Sequence, residues 1–435
     1  MTTIPDFDIA TDLKVEFFLP NLDDNAFIVG ISLLGGTNVL SNGGQFIIGE
    51  SLLGGEDVLG GLGFTWQNLG CTTANAQLSV GGSVQDDLYF QAQPANAKLT
   101  LQTYQYDPSL NSAFRPGVPV RIRLEKDPTD QIIWSGVVDT IGARYTIDGK
   151  NLMSVVAYDD LRNLLNTRIA SFDSTTVEGY VTPYEQMSLI AAQFGTSMHS
   201  TSVETSGQIP SQVLTNVIPN GLVFDAIQVG QALFWLDPAT QEFVFVPRPD
   251  ASVIPDFPVG AGYFTLNQSL LGGVDVLGSG NPVYTVGNNH EVFYHLCMTN
   301  IDTLADGDSV FNSLKVTLKD DNTTSVLVEN EDSISLYGRY AQDVILNTTT
   351  EAELTRWANS VFNQSPTNLV QSVETLTKDR AGTITEAAFL LPGELLGVDF
   401  EQDILHIKDY YTITKVSHYI DPDNWLTTLD LWKEA

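Results

Sequence analysis

The chain has 435 residues, of which 43% are hydrophobic and 10% aromatic, so it is long enough for several domains and too apolar for global disorder. Its 53 acidic residues against 20 basic ones give a net charge of −33. That charge argues against a nucleic-acid-binding protein, because such binding needs basic patches to displace counterions from the phosphates. The sequence has no long apolar run and no basic start, so we expect neither a membrane span nor a signal peptide.

Residues 1–75 form an N-terminal module that is defined by a repeated motif. The motif is Leu-Leu-Gly-Gly, a variable residue, Asp or Asn, and Val-Leu, and it occurs at 33–40, at 52–59 and again at 270–277. Because Gly-Gly permits positive φ, each copy is predicted to form a tight hairpin used for packing or assembly. The alternative is a calcium loop, which is disfavoured because the middle glycine and the tandem array of calcium-binding repeats are absent.

Residues 76–170 carry the most informative pattern, four strands with short turns that are closed by a helix. The predicted elements are strands at 98–104, 118–124, 131–141 and 152–157 and a helix at 158–166. Gly136 indicates a bulge or a close backbone approach, and Asp148-Gly149 is a two-residue hairpin signal. We therefore expect a small β-barrel that is plugged by a helix.

The order of these parts also resembles a known family. An alternating strand, Pro116-Gly117, Trp134-Ser135-Gly136, a hairpin and Tyr158-Asp159 before a helix resemble the first barrel of the baseplate-hub proteins of tailed phages. No single residue carries this resemblance, which depends on the ordered series.

Residues 171–255 change character to an α+β pattern. They predict helices at 183–195 and 223–232, a hairpin made by 232–236 and 242–246, and a linker at 247–250. This order resembles the domain that follows the first barrel in phage hubs.

Residues 256–300 are a connecting segment with the third Leu-Leu-Gly-Gly copy, and residues 301–435 predict a second barrel with one helix. Its predicted parts are a strand at 312–318, a turn-and-edge segment at 331–340, an amphipathic helix at 351–363 that Pro366 ends, and a last strand at 425–432. This series resembles the second barrel of the hub proteins.

The sequence holds no recognisable catalytic, cofactor or metal motif, so we assign no catalytic, cofactor-binding or metal-binding residue. It has no G-x-S-x-G elbow, P-loop or H-E-x-x-H, and a structural role is predicted for its five histidines, His199, His290, His295, His406 and His418. Cys71 and Cys297 are expected to be buried free thiols. The tryptophans in predicted strands are expected in cores rather than on sugar-binding surfaces, namely Trp66, Trp134, Trp235, Trp425 and Trp432.

We therefore expect a mainly β fold with an α/β insert: two hub-type β-barrels, an intervening α+β domain and an N-terminal hairpin-rich module. The resemblance implies a non-enzymatic minor tail protein of a siphovirus-like bacteriophage. It implies a homotrimer at the virion tail tip, assembled in the host cytoplasm, that joins the sixfold tail tube to the threefold tip.

The implied partners are the tail tube and distal tail proteins and tail-tip spike or fibre proteins, and DNA would pass through the channel without specific binding. An acidic channel wall would repel phosphate and let DNA slide. The alternatives are a receptor- or carbohydrate-binding tail-tip protein and a cell-wall hydrolase with paired carboxylates, for which the sequence singles out no pair.

Overall fold

The structure is a computed structural model, and it describes most of the chain in separate stretches. The described residues are 8–20, 64–68, 72–85, 88–103, 115–126, 129–145, 151–248, 284–288, 295–303, 311–321, 323–363, 370–378, 382–402 and 405–433. All three Leu-Leu-Gly-Gly copies and the predicted Asp148-Gly149 turn lie outside these residues.

The first barrel is built mainly from six strands, and its buried side chains belong to one hydrophobic cluster that also includes the α+β domain and the small sheet. Its elements are α1 (Ile9–Asp12), β1 (Leu13–Pro20), β2 (Phe64–Gln67), β3 (Thr72–Gln85), β4 (Tyr89–Ala92), β5 (Asn96–Thr103), β6 (Pro119–Lys126), β7 (Thr129–Tyr145), β8 (Asn151–Tyr158) and α2 (Leu161–Asn166). The strands pair in the order β1-β6-β7-β8-β5-β3, and β2 and β4 extend β1 and β3. β3 returns beside β1, where the Thr73 hydroxyl donates to the Leu13 carbonyl at 3.4 Å.

The alternation of residues explains the core of this barrel. Val120, Ile122 and Leu124 of β6 are buried, as the sequence predicts, and the residues between them point outward. A side chain at Gly136 would overlap the Tyr158 carbonyl oxygen, so the predicted close backbone approach is confirmed. α2 buries Leu161 and Leu164 and confirms the predicted closing helix.

The α+β domain follows the first barrel. It contains β9 (Ile169–Asp173), β10 (Tyr180–Val181), α3 (Pro183–Gln193), β11 (Ile209–Pro210), β12 (Val213–Val217), α4 (Asn220–Gly230), β13 (Ala232–Leu236) and β14 (Phe243–Pro247). Both helices and the hairpin are predicted from the sequence and confirmed. α3 begins with a capping box in which the Thr182 side chain and Glu185 bond reciprocally, which explains why the helix starts at Pro183.

The rest of the chain forms a second barrel and a separate small sheet. Its elements are β15 (Tyr284–Gly287), β16 (Leu296–Thr303), β17 (Ser313–Leu318), β18 (Ser325–Glu329), α5 (Glu331–Tyr337), β19 (Ala341–Leu346), α6 (Glu351–Asn363), β20 (Val370–Leu376), β21 (Leu395–Gln402), β22 (Leu405–Ile420) and β23 (Trp425–Lys433). The strands β22-β21-β15-β16-β20-β23 pair in series, and β23 pairs back to β22, which closes a six-stranded barrel. This barrel has a core of its own.

The small sheet departs from the sequence prediction. β17, which was expected in the second barrel, forms a three-stranded sheet in the order β18-β17-β19, and α6 packs against β17 and β18. The prediction of a turn-and-edge segment at 331–340 is wrong for its first part, because residues 331–337 form a helix. Asn330 caps this helix by accepting from Ser333 N–H at 2.9 Å, and Glu331 and Asp332 favour its first turn.

One further expectation at a single residue is wrong. Cys297 is exposed, because it alternates with the buried Leu296 on β16. Arg248, which was expected in a linker, is buried: its guanidinium lies 3.9 Å from the centre of the Trp432 ring and donates to the Lys433 carbonyl. Arg248 thus ties the end of the α+β domain to the last strand.

The predicted fold class is confirmed for the described residues: the chain is mainly β, with two β-barrels and an α+β domain between them. The domain boundaries that the sequence gives stay a prediction. Within the described stretches, no helix has the length and hydrophobicity that a membrane crossing requires.

Candidate functional site

The most distinctive feature of the molecule is the seam between the two barrels. β3 of the first barrel pairs antiparallel with β22 of the second, from Gly81 opposite Lys415 to Ala76 opposite Ile420. Each strand also pairs within its own barrel, so one continuous sheet runs through both barrels. The pairing fixes the two barrels side by side.

Two adjacent glycines allow this close approach. Gly81 has φ +114°, and a side chain there would overlap the Thr414 carbonyl oxygen and lie 2.9 Å from the Lys415 Cα. A side chain at Gly82 would overlap the Gln91 carbonyl oxygen of β4. Gly81-Gly82 is therefore the point at which β3 leaves the seam and turns to pair with β4.

The inner side of the seam is apolar except for one histidine. His418 is buried beside Val416 and Ile420, its Nδ1 lies 2.8 Å from Thr427 Oγ1, and it accepts from Trp425 Nε1 at 3.3 Å. Burial lowers the pKa of His418 to about 4, so its ring is neutral at neutral pH. The predicted structural role suits this histidine.

The other side of the seam carries mostly polar, partly exposed residues, and we call it the seam face. It consists of the outward residues on five neighbouring strands, in cross-strand register: Leu376, Leu426, Tyr419, Gln77 and Lys98; Glu374, Thr428, Ser417, Ser79 and Asn96; and Ser372, Asp430 and Lys415. Two lysines and two carboxylates balance one another on this face. The excess acid of the chain therefore lies outside it.

A small cavity of about 60 Å³ lies where the two barrels meet the β13–β14 hairpin. Its walls include Ile133 of the first barrel, Pro238 of the hairpin, and Leu391 and His418 of the second barrel. The hairpin is fastened there, because Ser135 Oγ donates to the Pro238 carbonyl and accepts from Gln241 Nε2 at 2.8 Å.

A carboxyl group holds the barrel loop next to this cavity. Glu394 accepts from the Leu391 N–H at 3.0 Å, and burial together with nearby Glu386 raises the pKa of Glu394 to about 7. This shift has a structural cause, because the carboxyl group is buried where it accepts the hydrogen bond of its own loop.

The α+β domain is also joined to the small sheet by polar contacts. Trp357 Nε1 of α6 donates to the Gln228 carbonyl at 2.7 Å, and Gln231 Nε2 donates to Ser360 Oγ at 2.6 Å. These bonds satisfy groups at the end of α4 and hold α6 against it. The barrels, the α+β domain and the small sheet thus form one connected frame.

The other residues that the sequence analysis considered are scattered. His199 and His295 bond to threonine hydroxyls, and His406 is exposed beside Glu401. His290 and Cys71 lie outside the described residues. Within the part of the chain that the structure describes, no group of three His, Cys, Asp or Glu side chains is placed to hold a metal ion.

The tryptophan prediction is confirmed for four of the five residues, since Trp134, Trp235, Trp425 and Trp432 are buried. Trp66 is only half-buried, and the Arg121 guanidinium lies 4.4 Å from the centre of its ring. The four buried rings are therefore not available as a sugar-stacking platform.

The seam itself was missed by the sequence analysis. One local feature could have indicated it: the pair Gly81-Gly82 lies inside an otherwise strand-like segment. Glycines within a strand indicate that another backbone approaches closely. The identity of the partner strand carried no local signal, because the paired residues lie more than 300 positions apart in the sequence.

Comparison with known proteins supports this architecture. No family model matches the sequence, and no curated protein matches it. Among solved structures, the tail protein from Neisseria meningitidis MC58 is 12% identical with a TM-score of 0.53, and the match covers 86% of this chain and 94% of that one. The 43 kDa tail protein of prophage MuSo2 from Shewanella oneidensis is 12% identical, with a TM-score of 0.49 and coverage of 85% and 95%.

A third solved structure is the E. coli c3393 protein, which is described as a type VI secretion component with structural similarity to the T4 tail proteins gp27 and gp5. It is 9% identical, with a TM-score of 0.45 and coverage of 84% of this chain and 74% of that one. The chain thus has the fold of the Neisseria tail protein over most of both lengths. The resemblance to a phage tail protein that the sequence indicated is confirmed at the level of the fold.

Proposed function

We propose that this chain is a structural hub protein of a phage tail tip or of a related tail-like particle. Three copies would form a ring that joins the sixfold tail tube to the threefold tip and lets DNA pass. The observation that carries this proposal is the rigid pairing of two six-stranded barrels within one chain through β3 and β22.

This pairing suits a symmetry adaptor. Three copies of a chain with one barrel present three equivalent units, whereas three copies of this chain present six barrels around the same axis. The seam fixes the relative position of the two barrels in each copy, so the six barrels can approximate a sixfold ring. The likeness to a solved tail protein supports the same role.

The proposed partners follow from that position. One face of the ring would bind the tail tube and distal tail proteins, and the opposite face would bind spike or fibre proteins. We place the protein at the virion tail tip after assembly in the host cytoplasm, as in a siphovirus-like particle. The role is assembly and conduction, without catalysis.

Neither alternative has a specific observation in its favour. A carbohydrate-binding tip protein would need an exposed aromatic platform, and the strand tryptophans are mostly buried. A hydrolase would need a cleft with paired carboxylates. Glu394 has a raised pKa, but it is used to hold its own loop.

The acidic charge fits a conduit. Three chains would together carry three times the net charge of −33. Salt screens charges over about 8 Å in physiological conditions, so the acidic residues of different subunits repel one another little only where they lie on separated faces. The seam face carries equal numbers of lysines and carboxylates, so the excess acid lies on other faces of the subunit. We infer that it is concentrated on the face that lines the channel. Replacing several channel-facing acids with lysine should slow DNA ejection, and the defect should ease as salt rises.

The proposal is tested by mass photometry of the purified chain, alone and with its tail partners. A species of three chains, or a ring that forms when a tail partner is added, is expected. Antibody labelling of complete particles should place the chain at the tail tip. A strict monomer under every condition, together with absence from tail tips, would contradict the hub function.

A further inference from the structure

A lysine, an aspartate and an asparagine meet between α4 and the small sheet. Lys319 directly follows β17 and Asn347 directly follows β19, and these two strands are parallel neighbours with Leu318 opposite Leu346. The Lys319 N–H donates to the Leu346 carbonyl at 3.0 Å, so the ladder continues to the point where Lys319 and Asn347 lie side by side. Asp225 reaches them from α4.

The Asp225 carboxylate contacts both side chains. Lys319 Nζ lies 2.9 Å from Oδ2 and 3.1 Å from Oδ1, and Asn347 Nδ2 donates to Oδ2 at 2.6 Å. Asp225 and Asn347 are buried, whereas the Lys319 side chain is 49% exposed. One carboxylate oxygen therefore touches an amine and a carboxamide at the same time.

We propose that Lys319 and Asn347 become joined by an intramolecular isopeptide bond, and that Asp225 is the catalytic residue of this self-modification. The inference is independent of the proposed hub function, since it concerns chemistry within one subunit.

The reaction balances without any further reactant. Asp225 Oδ2 takes a proton from the Lys319 ammonium, and the neutral Nζ attacks Cγ of Asn347. The protonated Asp225 returns a proton to the amide nitrogen that it already contacts, the Cγ–Nδ2 bond breaks, and ammonia leaves. After the attack, Nζ loses a second proton to the departing ammonia. The products are therefore a Lys–Asn amide and one ammonium ion.

Several features of the site favour this reaction. The amine and the carboxamide are held by adjacent strands and a common carboxylate, which replaces a bimolecular encounter by a fixed geometry. The burial of Asp225 and Asn347 limits competing hydrolysis at Cγ. The half-exposed Lys319 side chain leaves a path to solvent for ammonia.

The bond would have a mechanical consequence. It would tie the end of β17 to the end of β19 directly beneath α4, so the small sheet could not separate at that edge. It would also close a loop in the unfolded chain, which stabilises the folded state in the way that a disulfide does.

The test is the intact mass of the full chain, measured after purification and again after prolonged incubation near neutral pH. We expect a mass lower than that of the sequence by one ammonia, and a protease digest that contains one branched peptide linking the segments around Lys319 and Asn347. Lys319→Arg keeps the positive charge but cannot form the amide, so it should show the full mass. Asp225→Asn keeps the shape of the catalytic side chain but cannot accept and return a proton, so this variant should also show the full mass.

A succinimide at Asn347 would lose the same ammonia, and the Lys319→Arg variant distinguishes it. A succinimide would persist in that variant and would give no branched peptide. If the wild-type chain keeps its full mass throughout the incubation, or if the loss of ammonia survives in Lys319→Arg, the isopeptide proposal is overturned, and Asp225 and Lys319 form an ordinary ion pair to which Asn347 donates a hydrogen bond.

Discussion

The seam between the barrels makes a sharp prediction at Gly81. In the variant Gly81→Ala, the new Cβ overlaps the Thr414 carbonyl oxygen and lies 2.9 Å from both Lys415 Cα and Pro392 Cγ. Two of these three neighbours are backbone atoms of β22, which cannot move without disturbing the strand pairing. The residue also keeps φ near +114°, a conformation that is unfavourable for alanine.

The expected loss of stability can be estimated from these two effects. Overpacking typically costs about 1–3 kcal/mol. A positive φ at a non-glycine residue adds roughly 1–2 kcal/mol. We therefore expect Gly81→Ala to lower the free energy of unfolding by ~2–5 kcal/mol.

The assay is urea denaturation followed by tryptophan fluorescence, with hydrogen exchange of the seam amides as a local readout. Gly142→Ala in β7 is the matched control, because its new Cβ would meet only Ser154, at 3.8 Å and beyond. The control should change stability by no more than about 0.5 kcal/mol. If Gly81→Ala is as stable as Gly142→Ala, and if its seam amides are equally protected from hydrogen exchange, then Gly81 is not required for the close approach of β3 and β22.

Three further predictions follow from other parts of the chain. Because burial lowers the pKa of His418 from 6.5 to about 4, its contribution to stability is present above pH 6.5 and is lost as pH falls toward 4. Between pH 7 and pH 5 the loss is about 2 kcal/mol, and urea midpoints of His418→Gln should lack this part of the pH dependence; an unchanged slope would contradict it. Trp357→Phe removes one of two donors to the buried Gln228 carbonyl, which also accepts from Gln231 N–H at 3.3 Å, so the variant should lose only about 0.5–1.5 kcal/mol in urea denaturation, whereas equal stability would show that this bond is unimportant. The Leu-Leu-Gly-Gly segments should not bind calcium tightly, so calorimetric titration should give no strong signal and a chelator should leave the melting temperature unchanged; a melting shift of several degrees on adding calcium would reverse this.

Much of the fold is predictable where the evidence is local. The alternation in β5 and β6 and the capping box at Thr182 and Glu185 each act within a few residues, and each predicted element is confirmed. α5 was missed although its local signals were present: Asn330 at the cap and two acids in the first turn outweigh the strand-like character of its later residues.

The arrangement of the elements is predictable only in part. Period-2 patterns show which face of a strand is buried but not which strand lies beside it. For this reason the sequence could not reveal that β3 pairs with β22, or that β17 leaves the second barrel for a sheet of its own. The contact of Asp225 with Lys319 and Asn347 is equally non-local, and no spacing in the sequence indicates it.

In the proposed hub, paired barrels from three chains build one ring. Electron cryomicroscopy of the intact particle tests this arrangement, because the map shows the number of copies and their position. We expect three copies around the tail axis, with six barrels at similar distances from it, joined in pairs through the seam between β3 and β22. A tail tip without this chain, or a single copy off the axis, would rule out the hub function.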